Sequence, residues 1–325
     1  MNFKKILVTG CAGFIGYHTC KKLIELEYQN IVGIDNINSY YDVKLKKHRL
    51  DDLKKDKSQF TFLKIDIKSE KSINNLFKEN NFDCVIHLAA QAGVRYSIDY
   101  PKTYVENNLV GFFNILNISK IYNVKHFLYA STSSVYGNVN RFPVNESDPT
   151  DAPLSFYAAT KKSNELMAHA YSNIYKIPTT GLRFFTVYGS YGRPDMALFK
   201  FTKNILANKK IDLFNNGNHY RDFTHVKDVV QYITKIMKKP STKKIPFQIF
   251  NIASNNPQFL KRFIRQIEIV LGNKAIFNKL GLQKGDVKKT HGSTALIEKK
   301  INYKAKYDIK RGVKEFIKWY TKFYK

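Results

Sequence analysis

Cysteine is nearly absent from this chain: three residues in 325, at Cys11, Cys20 and Cys84. They form no C-x-x-C pair and meet no histidine cluster at metal-ligand spacing, so neither a disulfide framework nor a metal site is expected. A reducing, cytoplasmic setting fits such usage. Long apolar runs are missing too, and nothing approaches the roughly 18 residues of a membrane-crossing helix. The opening Ile6-Leu7-Val8 breaks at Thr9-Gly10, too early for a signal peptide, and reads as a first β-strand. Acidic residues are few, 26 against 54 Lys plus Arg, for a formal net charge of +28. Gathered on an arm or tail, such an excess would point to nucleic acid or an acidic membrane. Here the lysines are scattered in short pairs such as Lys4-Lys5, Lys46-Lys47 and Lys299-Lys300. The expected partner is therefore a small anion rather than a nucleic acid or a membrane. Internal repeats and low-complexity linkers are likewise lacking, which argues against beads on a string.

What is present is apolar mass: 43% hydrophobic residues, with 24 Phe and 21 Tyr. That is enough to offset the entropy of ordering a large α/β domain, or two modest ones sharing a core. Short β-branched runs at Lys5–Val8, Asn30–Ile34, Phe60–Ile65, Cys84–Leu88 and His126–Ala130 alternate with helical periodicity at His18–Leu26, Glu70–Phe77, Asn108–Ile121 and Tyr157–Tyr175. This alternation builds βαβ units and predicts a Rossmann-like, doubly wound parallel sheet. After Pro178 the pattern loosens into Gly/Asn/Pro-rich loops, then regains helix at Lys227–Met237 and strand at Gln248–Ile252. The expected organisation is a dinucleotide domain of residues 1–182 plus about 224–253. A smaller substrate domain of about 183–223 plus 254–325 interleaves with it.

Gly10-Cys11-Ala12-Gly13-Phe14-Ile15-Gly16 follows the first strand and opens a helix. Glycines at this spacing allow a tight turn, let the backbone approach a pyrophosphate, and leave helix N–H groups free for phosphate. A plain βα turn would look similar, but Asp35 closes the second strand, where its carboxylate can accept both hydroxyls of an adenosine ribose. It would repel the 2′-phosphate of NADP, so NAD is the expected cofactor. Asp66 after the third strand and Ala89-Ala90 after the fourth extend the site. Asn36, Ile67 and Leu88 flank these positions and complete the cofactor set.

Tyr157 and Lys161 stand four residues apart, on one helical face. A phenol is a poor base near neutrality, and a neighbouring ammonium favours its phenolate. Twenty-five residues before Tyr157, Thr132, Ser133 and Ser134 end a buried strand, at the sheet edge where α/β ligand sites lie. Hydroxyls there can bridge a substrate oxygen to Tyr157.

In these motifs, over nearly its whole length and in their order, the chain resembles the extended short-chain dehydrogenase/reductase family, and within it nucleotide-sugar 4-epimerases. The resemblance implies Thr132, Tyr157 and Lys161 as the catalytic triad and Asn107 as an asparagine near the cofactor. Asp35-Asn36 leading to Tyr40-Tyr41-Asp42, the run Ala89 to Ser97 containing Arg95, and Arg183-Phe184-Phe185-Thr186 continuing to Arg193-Pro194-Asp195 look most like UDP-glucuronate 4-epimerases. They imply a sugar-acid site made by Ser133, Ser134, Thr186 and Arg193, with Arg95 also at the substrate. Arg221 resembles the arginine that holds the UDP phosphates, with a surface ion pair to Asp222 as its ordinary alternative. Phe214 and Asn215 resemble the uridine-side loop, and Lys200 and Asp286 fall in substrate-associated segments. The chain departs from the pattern at Ser293, where Asp is usual, and at Ser190-Tyr191, where Pro-Trp is common.

The implied reaction moves hydride from sugar C4 to NAD and back to the opposite face, by way of a 4-keto sugar. Two other readings stand beside UDP-glucuronate: a UDP-glucose/UDP-galactose 4-epimerase, and a catalytically silent Rossmann scaffold that binds a polyanion. The resemblance also implies a homodimer through the helices starting at Asn108 and Tyr157.

Overall fold

The structure is a computed structural model that describes residues 3–55, 58–283 and 285–324. Its strands are β1 (Ile6–Thr9), β2 (Ile31–Asp35), β3 (Phe60–Lys64), β4 (Cys84–His87), β5 (His126–Thr132), β6 (Thr179–Phe184), β7 (Thr186–Tyr188), β8 (Lys210–Phe214), β9 (Tyr220–His225), β10 (Phe247–Ile252), β11 (Pro257–Phe259) and β12 (Ile276–Leu280). The helices are α1 (Phe14–Glu25), α2 (Val43–Leu53), α3 (Glu70–Glu79), α4 (Tyr96–Asp99), α5 (Pro101–Tyr104), α6 (Gly111–Ile121), α7 (Phe156–Tyr175), α8 (Ala197–Leu206), α9 (Val226–Ile236), α10 (Leu260–Leu271), α11 (Ala295–Ile301) and α12 (Ile309–Tyr324).

Seven strands form one parallel sheet in the order β10-β6-β5-β4-β1-β2-β3. Buried side chains alternate between its faces as a period-two pleat requires. Ile6 and Val8 of β1, Cys84 and Ile86 of β4, and Leu128 of β5 enter the core shared with α1, α9 and α11. Leu7, Val85, Phe127 and Tyr129 enter the opposite core, against α3, α6 and α7. The strand order reverses between β1 and β4, and ligands of doubly wound sheets bind beyond the carboxyl ends of the strands at such a switch point. All three cysteines are buried and free. No described helix is long and apolar enough to cross a membrane.

The remaining strands form two small sheets, β11-β9-β7 and β12-β8. They lean on an aromatic core of Phe199, Phe223, Phe263 and Phe316. The Phe223 and Phe263 rings stack at 4.1 Å between centroids.

Three elements differ from the sequence expectation. Thr179–Phe184, for which the sequence reading named no strand, is β6 in the main sheet. Its mid-strand Arg183 is buried and paired with Glu165 of α7, Nε to Oε1 at 2.9 Å. The lysine-rich stretch Val43–Leu53 is helix α2, capped by the Asp42 carboxylate on the Lys44 N–H at 2.8 Å. The helix expected from Asn108 is preceded by a π-helical turn over Val105–Val110, and α6 starts only at Gly111.

Candidate active site

β1 ends against the glycine-rich turn, and here the backbone itself shapes the site. Gly10 has φ 72°, and a Cβ on it would lie 2.8 Å from the Ala89 nitrogen; one on Gly16 would lie 2.0 Å from the Gly10 oxygen. Only glycine lets turn, helix and strand approach this closely. α1 begins after Gly13 with no side-chain cap and no acidic residue in its first turn. Its leading N–H groups are thus not committed to a carboxylate and favour an anion.

Asp35 closes β2 beside this turn. Its carboxylate accepts the Ala12 N–H at 3.2 Å and the Ile37 N–H at 2.8 Å, so it braces the turn as well as facing the ligand space. Burial raises its pKa, opposed by those N–H groups and by Lys46 and Arg49. Asn36 donates to Asp66 at 3.2 Å, which ties the end of β2 to the segment after β3.

A cavity of about 460 Å³ opens over the carboxyl ends of these strands. Gly10, Gly13, Phe14, Ile15, Gly16, Asp35, Asn36, Ile67, Leu88, Ala89, Ala90 and Asn107 line one part of it, and Thr132, Ser133, Ser134, Tyr157, Lys161, Thr186 and Arg193 another. Asn107 reaches this wall from the π-helical turn, with its amide held by the Thr103 carbonyl at 2.8 Å. Asp66 stays outside the wall and touches it through Asn36.

Tyr157 stands in the first turn of α7, which Ser155 caps by accepting the Ala158 N–H at 3.2 Å. Burial raises the Tyr157 pKa, while a hydrogen bond with Thr132 and the Arg193 charge pull it down. Lys161 is 2% exposed and donates to the Ala130 carbonyl at 2.9 Å. Burial lowers its pKa to about 8, and the Glu165 carboxylate opposes that shift. The pair can therefore move a proton at a substrate oxygen, with the lysine charged below about pH 8.

A second cavity, about 150 Å³, shares Ser133, Ser134 and Thr186 with the first and adds Arg221 and Asp286. Arg221 donates to Asp286 at 2.7 Å. The ion pair to Asp222 considered from sequence does not form: Asp222 is buried and accepts from the Ser254 N–H and hydroxyl instead. The Arg95 guanidinium lies 4.8 Å from the Phe214 ring centroid. Burial lowers the Arg221 pKa and the like charge of Arg95 adds to this, with Asp286 opposing. The Arg221–Asp286 pair with the Arg95 charge acting on it leaves net positive charge, which suits a diphosphate.

The structure does not bring every expected residue to these walls. Lys200 is exposed on α8, the Asn215 amide is turned onto the Asn218 carbonyl at 2.9 Å, and Arg95 and Phe214 line neither cavity but pack on each other. Ser293 keeps its loop in place through the backbone, its N–H on the Val144 carbonyl at 2.9 Å and its own carbonyl accepting from Asn251 at 3.2 Å. Several wall residues were not singled out from sequence, among them Tyr40, Lys46, Gln91 and Asp195. Tyr40 donates to Asp195 at 3.3 Å, and Asp195 accepts from Arg193 Nε at 3.0 Å. Lys46 donates to the Asn38 carbonyl at 2.7 Å, and burial lowers its pKa to about 8 against the pull of Asp35. Tyr40 and Asp195 sit 155 residues apart in sequence. Only their place in motif segments hinted at them, and Lys46 carried no sequence signal for the site.

Comparison with known proteins agrees with this geometry. Residues 6–253 match the NAD dependent epimerase/dehydratase family. Protein CapI of Staphylococcus aureus is 47% identical over 335 aligned positions, covering 99% of each chain. A probable UDP-glucuronate 4-epimerase of Rhizobium meliloti is 40% identical, covering 99% of this chain and 98% of that one. Among solved structures, the UDP-glucuronic acid 4-epimerase of Bacillus cereus, in complex with UDP-glucuronic acid and NAD, superposes with a TM-score of 0.91 at 32% identity. That alignment covers 98% of this chain and all of the other.

Proposed function

The chain belongs to the NAD-dependent epimerase/dehydratase family, and we propose that it is a 4-epimerase of a UDP-sugar, converting UDP-glucuronate to UDP-galacturonate. The observation that carries this reading is the seam between the two cavities. Ser133, Ser134 and Thr186 line both, so a nucleotide sugar with its phosphates at Arg221 would present its sugar to those hydroxyls and to Tyr157. The residues also fit NAD: the glycine-rich turn and the uncapped start of α1 for the pyrophosphate, and Asp35 for a ribose that carries no 2′-phosphate.

When bound, NAD supplies a reversible hydride acceptor at C4. The chain's own part is to take the O4 proton on Tyr157, with Lys161 favouring phenolate and Thr132 orienting the phenol. It then lets the 4-keto sugar turn, so that the proton and hydride return on the opposite face. With glucuronate this intermediate is a β-keto acid, which loses CO₂ when its C5–C6 bond aligns with the ketone π-system. Ser133, Ser134, Thr186 and Arg193 hold the carboxylate out of that alignment. A buried hydroxyl or guanidinium fixes a carboxylate's orientation as well as offsetting its charge.

In this reading the seven-stranded half holds NAD, the half with the small sheets holds the UDP-sugar, and the enzyme works in the cytoplasm. It is a homodimer through α6 and α7, whose exposed apolar side chains include Phe113, Ile121, Leu166 and Ile174. Sedimentation should show a dimer that Leu166→Asp converts to monomer; a monomeric parent protein rejects this assembly.

The deciding experiment is incubation of purified protein with UDP-glucuronate, without added reductant, followed by separation of sugar nucleotides and detection of CO₂. Conversion to UDP-galacturonate without CO₂ is expected. No reaction there, with UDP-glucose and UDP-galactose interconverted instead, would retain the triad and discard the sugar-acid reading.

A further inference from the structure

Arg49 of α2 is wholly buried, yet no carboxylate stands within ion-pair distance of it among the described residues. A buried guanidinium normally meets an acid, because an unpaired charge is costly to desolvate. Arg49 directs its Nη donors to main-chain carbonyls and one phenol, while its buried Nε has no partner among the described residues. Nη1 donates to the Ala12 oxygen at 2.7 Å and to the Tyr41 hydroxyl at 2.7 Å, and Nη2 to the Tyr191 oxygen at 2.6 Å. The Gly192 oxygen lies 3.5 Å from Nη2.

The two carbonyls belong to segments that carry different wall residues: Gly10 and Gly13 flank Ala12, and Arg193 follows Tyr191. Ala12 lies inside the glycine-rich turn, and Tyr191 stands two residues before Arg193. Tyr191 adopts a left-handed backbone, φ 56°, which a residue with a side chain keeps only where its surroundings over-determine it. Its ring is wedged between Tyr17 at 4.8 Å and Trp319 at 4.9 Å between centroids. His18 of α1 adds a second tie, with Nε2 at 2.8 Å from the Ser190 oxygen. The loop leading to Arg193 is thus held by elements of the dinucleotide half.

We propose that Arg49 is a positioning residue that couples the dinucleotide turn to the loop bearing Arg193, so that the cation facing the sugar acid is aligned through the same guanidinium that grips Ala12. This rests on the reading of Arg193 as a contact to the sugar carboxylate. Arginine is needed because its planar fork presents separate Nη groups to the two carbonyls, whereas a lysine ammonium is a single point on one stem.

The test is a double-mutant cycle of Arg49→Lys and Arg193→Ala, reading KM and kcat for UDP-glucuronate and the thermal midpoint of each protein. Arg193→Ala should raise KM about tenfold or more, the loss of a charge-assisted hydrogen bond. Arg49→Lys should raise KM about fivefold with kcat nearly unchanged, and should add almost nothing in the Arg193→Ala background, since both changes remove one contact. Independent, multiplying effects overturn the coupling, as does an Arg49→Lys enzyme with unchanged KM. If Arg193→Ala itself leaves KM unchanged, the Arg193 reading fails and the coupling falls with it. Should Arg49→Lys not fold, the parent protein carries the test through amide exchange at Ser190, Tyr191 and Gly192, which lie outside the wall of the larger cavity. Saturating NAD should slow exchange there about fivefold or more if the turn and loop are coupled, and unchanged rates overturn the proposal.

Discussion

The two ends of the cleft are built by different means. At the end by β1 and β2 the backbone does the work: Gly10 and Gly16 leave no room for a side chain, and α1 presents uncapped N–H groups. At the other end side chains shape the wall, with Arg221 and Asp286 brought together from a strand and a distant loop. The glycine-rich turn itself lies within a single βα unit, while Arg221 and Asp286 are 65 residues apart. A local turn tolerates almost no substitution, and its own shape depends on few distant contacts, Asp35 and Arg49 among them. A site assembled at long range tolerates more exchange of residue type and depends on the packing of everything between.

The seam between the ends is the place to break this contrast most severely. Tyr157→Phe should lower kcat about 10²- to 10⁴-fold, the usual loss on removing a general acid/base, with NAD and UDP affinity almost intact. Near-wild-type turnover of UDP-glucuronate by this variant would remove Tyr157 from the mechanism.

The next effect falls on the side-chain end. Arg221→Ala should raise KM for the UDP-sugar about 10- to 100-fold, as expected when a charge-assisted hydrogen bond to phosphate is lost, and should leave NAD affinity alone. If steady-state kinetics show kcat falling with KM constant, Arg221 does not hold the ground-state diphosphate.

At the backbone end, Gly16→Ala places a methyl 2.0 Å from the Gly10 oxygen, so the turn or α1 must shift. Overpacking of this kind costs about 1–3 kcal/mol. NAD titration and thermal unfolding should show weaker cofactor binding together with a lower midpoint, whereas Arg221→Ala lowers affinity for its ligand with little change in stability. Equal behaviour of the two variants would erase the distinction.

The same contrast decides what could be read from sequence. The glycine-rich turn, Asp35 and the Tyr157/Lys161 pair are local patterns, and the structure places all of them on one cavity. Strand β6 escaped because Gly181 and Arg183 look unlike a buried strand until Glu165, 18 residues earlier on α7, is seen to neutralise the arginine. Helix α2 escaped because its polar surface hides a core position at Arg49, whose partners are main-chain carbonyls that no sequence pattern encodes. Tyr40 and Asp195 meet only after the sheet is assembled. Lys200 and Asn215 show the converse: likeness to a substrate-associated segment carries a residue to the right region without turning its side chain into the wall.

A pH-dependent effect separates stability from chemistry at Lys161. Burial lowers its pKa from 10.5 to about 8. In the folded protein the ammonium is therefore present below about pH 8 and lost above it, and kcat should fall through that value as phenolate loses its neighbouring cation. Stability runs the other way. Between about pH 8 and 10.5 the unfolded chain binds the proton that the folded chain has released, so this group's contribution to unfolding free energy rises with pH. Relative to Lys161→Met, the dinucleotide-free parent protein should gain on the order of 3 kcal/mol across that window, the free energy of a shift of this size. Denaturant titrations of the two proteins at pH 7 and pH 10 measure the difference, alongside kcat over the same range. If activity and relative stability fall together above pH 8, the alkaline loss is unfolding rather than deprotonation of Lys161, and the lysine is not the cation that supports Tyr157.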